Sequence, residues 1–133
     1  MASRPASTLP PQTLRLLRLA MLAGVLAVGA VLWFVAREQA PVLDAATAGA
    51  VQIGFYVVAH AALGAMLLLR KPFRAAGPAQ RGMLFIAGHA LGELPAVLGA
   101  VCILLLGTAV PFAVGLLVFL VAFLFFPLDE DPR

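Results

Sequence analysis

The sequence predicts an all-α polytopic membrane protein, with four transmembrane helices arranged as two antiparallel hairpins and both termini in the cytoplasm. Three observations predict it. Of the 133 residues, 63% are hydrophobic and only 11% are charged, and the mean hydropathy is +1.06, far from the average soluble mix. The apolar residues gather into four runs close to the roughly 20 residues that a helix needs to cross a hydrocarbon core of about 30 Å. The nine Lys and Arg residues sit at the ends of those runs. The net charge of +3 therefore belongs to membrane topology, because a nucleic-acid binder spreads its basic residues over a soluble face that meets phosphates.

Taken in order, residues 1–13, MASRPASTLPPQT, are rich in Pro, Ser and Thr and read as a disordered cytoplasmic leader. Spans are expected at about residues 16–36, 50–69, 83–106 and 109–126, followed by an acidic cytoplasmic tail at 128–133 that contains Asp129, Glu130 and Asp131. The first run exceeds the 7–15 apolar residues of a signal-peptide core, which favours a retained span; cleavage near the small residues Ala40 and Ala45 is the alternative. The separators are 37–49, the basic stretch 70–82, and the dipeptide Gly107-Thr108, whose shortness closes the third and fourth spans into a tight hairpin. Arg4, Arg15, Arg18, Arg70, Lys71, Arg74, Arg81 and Arg133 all fall on one side and only Arg37 on the other. Because cytoplasmic segments carry the excess of Lys and Arg, that side is assigned to the cytoplasm. The dominance of Arg, Ala, Leu and Val is typical of GC-rich bacterial genomes, so the expected location is the bacterial inner membrane. Cys102, the lone cysteine, lies in an apolar run and reads as a packing residue, with no disulfide framework or Cys-based metal site.

Charged groups inside a span cost roughly 2.5–3.5 kcal/mol at mid-helix on insertion scales and mark function by default. Glu93, in HALGELPAVLG (89–99), is the one acid or base deep in a span. Counted from Met83, it lies at a depth of about 15 Å by helix rise, near the bilayer centre. His60, counted from Arg70, is expected at the same level. His89 precedes Glu93 by four residues and projects from the same side of the helix. Gln52, Tyr56, His60 and Gly64 recur every four residues as a stripe that is expected to face the bundle, since donors pointing at lipid stay unsatisfied. Pro95 has no N–H to give the carbonyl of Leu91, so a kink is expected one turn below it. Gly88 and Gly92 form a small-xxx-small pair, with Gly54, Ala61 and Gly64 as expected counterparts on the second span. Trp33, Phe34, Phe119, Phe123, Phe125 and Phe126 read as lipid-facing or interfacial.

The stretch FIAGHALGELPAVLG (85–99), with Ala90-Leu91-Gly92-Glu93 and Pro95, resembles the carboxylate-bearing helix of the c-subunit proteolipids of rotary ATP synthases. Arg70-Lys71-Pro72 resembles that family's polar loop. The resemblance implies that Glu93 is a proton- or cation-binding carboxylate. The second span here lacks the family's run of alternating glycines, and two further spans flank the hairpin. The chain as a whole resembles small four-helix membrane proteins of bacteria.

Three functional readings follow. The first is a non-enzymatic integral membrane protein in which a Glu93/His60/His89 cluster between spans two and three stabilises the bundle or titrates; an accessory subunit of a larger membrane complex, or a homo-oligomer, fits it. The second is proton- or cation-linked transport through Glu93. The third is haem or metal ligation by His60 and His89, although their expected levels differ by roughly 6 Å. No cofactor is expected under the first reading. The chain carries no Ser/His/Asp set, Gly-rich phosphate loop or aqueous acid cluster that would suggest an enzyme. The basic stretch RKPFRAAGPAQR suits topology and anionic headgroups.

Overall fold

The computed structural model describes residues 10–40 and 42–127, and their regular structure is entirely helical. The order is α1 (Pro11–Ala36), α2 (Ala45–Ala75), α3 (Pro78–Leu106) and α4 (Val110–Phe125). The segment of α1 from Gln12, together with α2 and α3, is long and apolar enough to cross a membrane. The protein is therefore a helical membrane protein. α4 has 16 residues and rises about 24 Å, short of a hydrocarbon core of about 30 Å. Residues 1–9 of the expected leader and the whole acidic tail 128–133 lie outside the described residues. α1 starts inside the segment read as leader, because Pro11 fits the first helical turn, where its missing N–H costs nothing.

The basic stretch 70–82, read as a loop, is almost all helix. α2 runs on through Pro72 to Ala75, and only Ala76 and Gly77 separate it from α3, which opens on Pro78. Arg and Lys end an apolar run without ending a helix, since both are good helix formers. At 31 residues α2 is about 46 Å long, so its basic last turns extend past the hydrocarbon.

Asp44 begins α2 as an N-cap. Its carboxylate accepts the Ala46 and Thr47 N–H groups at 3.1 and 3.0 Å and the Thr47 hydroxyl at 2.7 Å. These bonds, chiefly those from Thr47, hold the carboxyl below its ordinary range. A depressed folded-state pKa contributes stability that is present above the unfolded value and is lost as pH falls through the folded one. The first turn of α2 is thus expected to fray on acidification, and Asp44→Ala to reproduce the fraying at neutral pH, both read as faster amide exchange at Ala46–Ala48.

α3 is the central helix and packs against all three others. Its approach to α4 is set by backbone against backbone. A Cβ on Gly99 would lie 2.7 Å from the Phe112 Cα, and one on Gly115 would lie 2.7 Å from the Ala96 Cα. Further along, Gly92 lies beside Phe119 and Ala122, and Gly88 beside Phe126, so the contacts descend α3 as they climb α4. Gly107, at φ 65°, terminates α3 in the left-handed conformation and starts the turn between them. α1 packs through Val25 against Ala96 and Phe119. α2 packs through Phe55 and Ala59 against Cys102, which is buried as expected, and through Met66 against the Phe85/Phe126 cluster.

Two packing expectations are corrected. Phe119 and Phe126, read as lipid-facing or interfacial, are fully buried: the Phe126 ring, at the C-cap of α4, lies against Gly88 of α3, and Phe119 packs with Val25 of α1 and Ala96 of α3. Gly88 and Gly92 accordingly meet α4 rather than Gly54 or Gly64, and a Cβ on either of those α2 glycines would meet nothing within 4 Å. Trp33 and Phe34 are exposed, as read.

Candidate functional site

The polar residues divide into two groups that the sequence had suggested would be one. Residues four apart on an α-helix advance by 400°, so each step of four drifts about 40° around the axis. On α2 this drift carries the row from half-buried Gln52 and Tyr56 out to exposed His60 and open Gly64. The core side of α2 is Phe55, Ala59, Ala62, Met66 and Phe73. The expected inward stripe is therefore corrected: it winds from the edge of the core to the outer surface. His60 satisfies itself locally, its Nδ1–H donating to the Tyr56 carbonyl at 2.7 Å.

The same drift separates His89 from Glu93. His89 has no exposed surface, whereas Glu93 is half-buried at the rim of α3. Glu93 lies on the side that carries His89 and Ala96, where Ala96 packs on Val25 of α1, while Leu91 and Leu98 of α3 pack on the α2 clusters. The expected Glu93–His60 contact between spans two and three is thus not formed. Among the described residues Glu93 has neither a hydrogen bond nor an ion pair. It sits one residue past the middle of α3, and His60 is the central residue of α2. Pro95 is buried within a continuous α3, packed against Gly115 of α4.

His89 belongs to a second group, enclosed by aromatic rings. Its ring centroid is 4.1 Å from that of Phe85, 5.2 Å from Phe123 and 6.3 Å from Phe126. Its Nδ1 lies 3.0 Å from the Phe85 carbonyl; a carbonyl only accepts, so the proton is on Nδ1. The Nε2 atom is buried with no hydrogen-bond partner among the described residues. Since the imidazole already lacks one of its two hydrogen bonds, His89→Leu is expected to change the unfolding free energy by less than about 1.5 kcal/mol, measured by thermal unfolding in detergent.

Arg18 of α1 closes this group, a role that counting it as a flanking charge did not reveal. Its guanidinium carbon lies 3.9 Å from the centroid of Phe123, and Nη2 donates to the Phe123 carbonyl at 3.0 Å. That carbonyl is among the last of α4 and has no helical donor, and the C-terminal end of a helix favours a cation. The sequence signal was available: Arg18 falls inside the expected first span, where a charge needs a partner.

No three His, Cys, Asp or Glu side chains among the described residues group to hold a metal ion. His60 and His89 do not share a space, one being exposed on α2 and the other sealed among phenylalanines. Among the described residues the chemistry on offer is that of one mid-helix carboxyl without a partner, one outward-facing imidazole and one enclosed imidazole. No protein-family model matches the chain, and neither a curated protein nor a solved structure matches it.

Proposed function

We propose that this is a small, non-enzymatic integral protein of the bacterial inner membrane that works as a subunit of a membrane assembly, with a second copy or another chain completing the surroundings of Glu93 and His60. One observation carries the reading. Glu93 lies at the middle of a membrane-length helix, at the bundle rim, with no hydrogen-bond or ion-pair partner among the described residues. A polar group in hydrocarbon without a partner is expensive, and helix association is the common way to satisfy it. The topology that goes with this has both termini and the α2–α3 connection in the cytoplasm, following the distribution of Arg and Lys. α4 then completes a fourth crossing with help from the apolar residues at its ends.

The test is the mass of the assembly in bilayer discs drawn directly from membranes. Wild type is expected to exceed the 13.9 kDa of one chain. Glu93→Gln is expected to shift it toward the single chain while leaving the amount of protein in the membrane unchanged. A single-chain mass for wild type overturns the proposal.

A second reading rests on the same unpartnered carboxyl: Glu93 as the proton- or cation-binding group of a transport or proteolipid-like component, as its resemblance to the c-subunit helix implies. It predicts that an apolar carbodiimide labels Glu93 less as pH rises. It also predicts that Glu93→Gln abolishes ion flux in vesicles without lowering protein level.

A further inference from the structure

α3 packs against all three other helices, yet one strip of its surface stays bare. Its inward residues go to α4 through Gly88, Gly92 and Gly99, to α1 through Ala96, and to α2 through Leu91, Leu98 and Cys102. α1 and α2 flank it on either side and form no seam with each other. Between those flanks Ala90, Leu94, Val97 and Val101 are exposed, and none of the four belongs to a core cluster. They follow one another by steps of four, three and four, which keeps a side of a helix turned toward a helical neighbour. Glu93 stands at the edge of this strip. Ala90 lies three residues before it and Val97 four after, so both are its neighbours on the helix surface.

We infer that a second copy of this chain packs on that strip, its α3 parallel to the first across a two-fold axis along the membrane normal, so that the two Glu93 carboxyls meet. The inference rests on the assembly reading given above and names the partner in it. Three features select a second copy. The first is depth: rotation about an axis along the membrane normal leaves every group at its own level, so a mid-helix carboxyl meets its own equivalent. The second is chemistry. A carboxylic acid group carries an O–H donor and acceptor oxygens, so two copies of Glu93 satisfy each other without a third group. Lipid chains offer neither donor nor acceptor, and the strip itself holds no other polar side chain. The third is shape. Ala87 and Ala90 are small and exposed, which lets a second backbone come close, and the spacing by fours and threes is the one that a parallel helix pair needs.

The experiment is cysteine crosslinking of the full chain in native membranes, oxidised with an apolar copper–phenanthroline catalyst after Cys102→Ala has removed the one native thiol. Equivalent positions beside a two-fold axis come together, so Ala90→Cys and Val97→Cys are each expected to give a product of twice the 13.9 kDa chain mass. Leu117→Cys is the comparison, 64% exposed on α4, and is expected to give none. Adding Glu93→Leu, which removes donor and acceptor together, is expected to lower the product at both α3 positions at least fivefold with an unchanged amount of protein in the membrane. Absence of the product at positions 90 and 97, a product indifferent to Glu93, or an equal product from position 117 overturns the inference. The mass in bilayer discs separates the two levels of the account. A wild-type mass above one chain, without a product at 90 and 97, overturns this interface and leaves the assembly reading standing, whereas a single-chain mass overturns both.

Discussion

Gly115→Val is expected to be among the most damaging single substitutions in the described residues, lowering the unfolding free energy by about 3 kcal/mol or more, at the upper end of the range for overpacking. The reason is what the added carbon meets. A Cβ at Gly115 lies 2.5 Å from the Pro95 carbonyl carbon and 2.7 Å from the Ala96 Cα. Both are backbone atoms of the central helix, so no side-chain rotation relieves the contact. α3 and α4 have to separate along the whole seam that also holds Gly99, Gly92 and Gly88. Thermal unfolding in detergent should show the loss, and Gly64→Val on the open side of α2 should leave the midpoint within experimental scatter. Equal effects of the two substitutions would mean that the α3–α4 seam is not packed as described.

Arg18→Leu is expected to cost about 1–3 kcal/mol, combining a charge-assisted hydrogen bond with a cation–π contact. It also strips the terminal turn of α4 of the donor to the Phe123 carbonyl. Arg18→Lys keeps the charge but loses the flat group that stacks on the ring, so it should fall between wild type and Arg18→Leu. The pair is best read by thermal unfolding together with amide exchange across Leu120–Phe126, where fraying of α4 should appear first. A destabilisation by Arg18→Leu that leaves exchange in this turn untouched would contradict the capping role.

The helical membrane class was legible in the sequence because apolar length is a direct physical requirement of the bilayer. Helix ends were less legible: the charges from Arg70 to Arg81 mark where hydrocarbon stops, yet the backbone of α2 stays helical to Ala75. The inward placement expected for the whole row failed at His60, while Gln52 and Tyr56 stay at the edge of the core, since four residues overshoot a full turn and the row spirals outward. The same overshoot puts Glu93 at the rim while His89 is sealed. Gly88 and Gly92 were recognisable as a close-approach pair, but a small-residue motif does not say which helix approaches. The choice of α4 depended on Phe126, Phe119 and Ala122, whose positions across the seam appear only when the chain is folded. The enclosure of His89 by Phe85, Phe123 and Phe126, with Arg18 arriving from a residue 105 positions away from Phe123, is tertiary information of the same kind.

The claim on which the functional account turns is that the exposed side of α2 that carries His60 and the Glu93 rim of α3 are completed by another protein chain. Its most direct test is a photo-crosslinking side chain placed in native membranes at Val57, which is 63% exposed beside His60, with Phe34, 67% exposed on α1, as the comparison. The account predicts a discrete protein adduct of defined mass from position 57, lost in His60→Leu/Glu93→Gln, and lipid adducts from position 34. Lipid adducts alone from position 57 would contradict it.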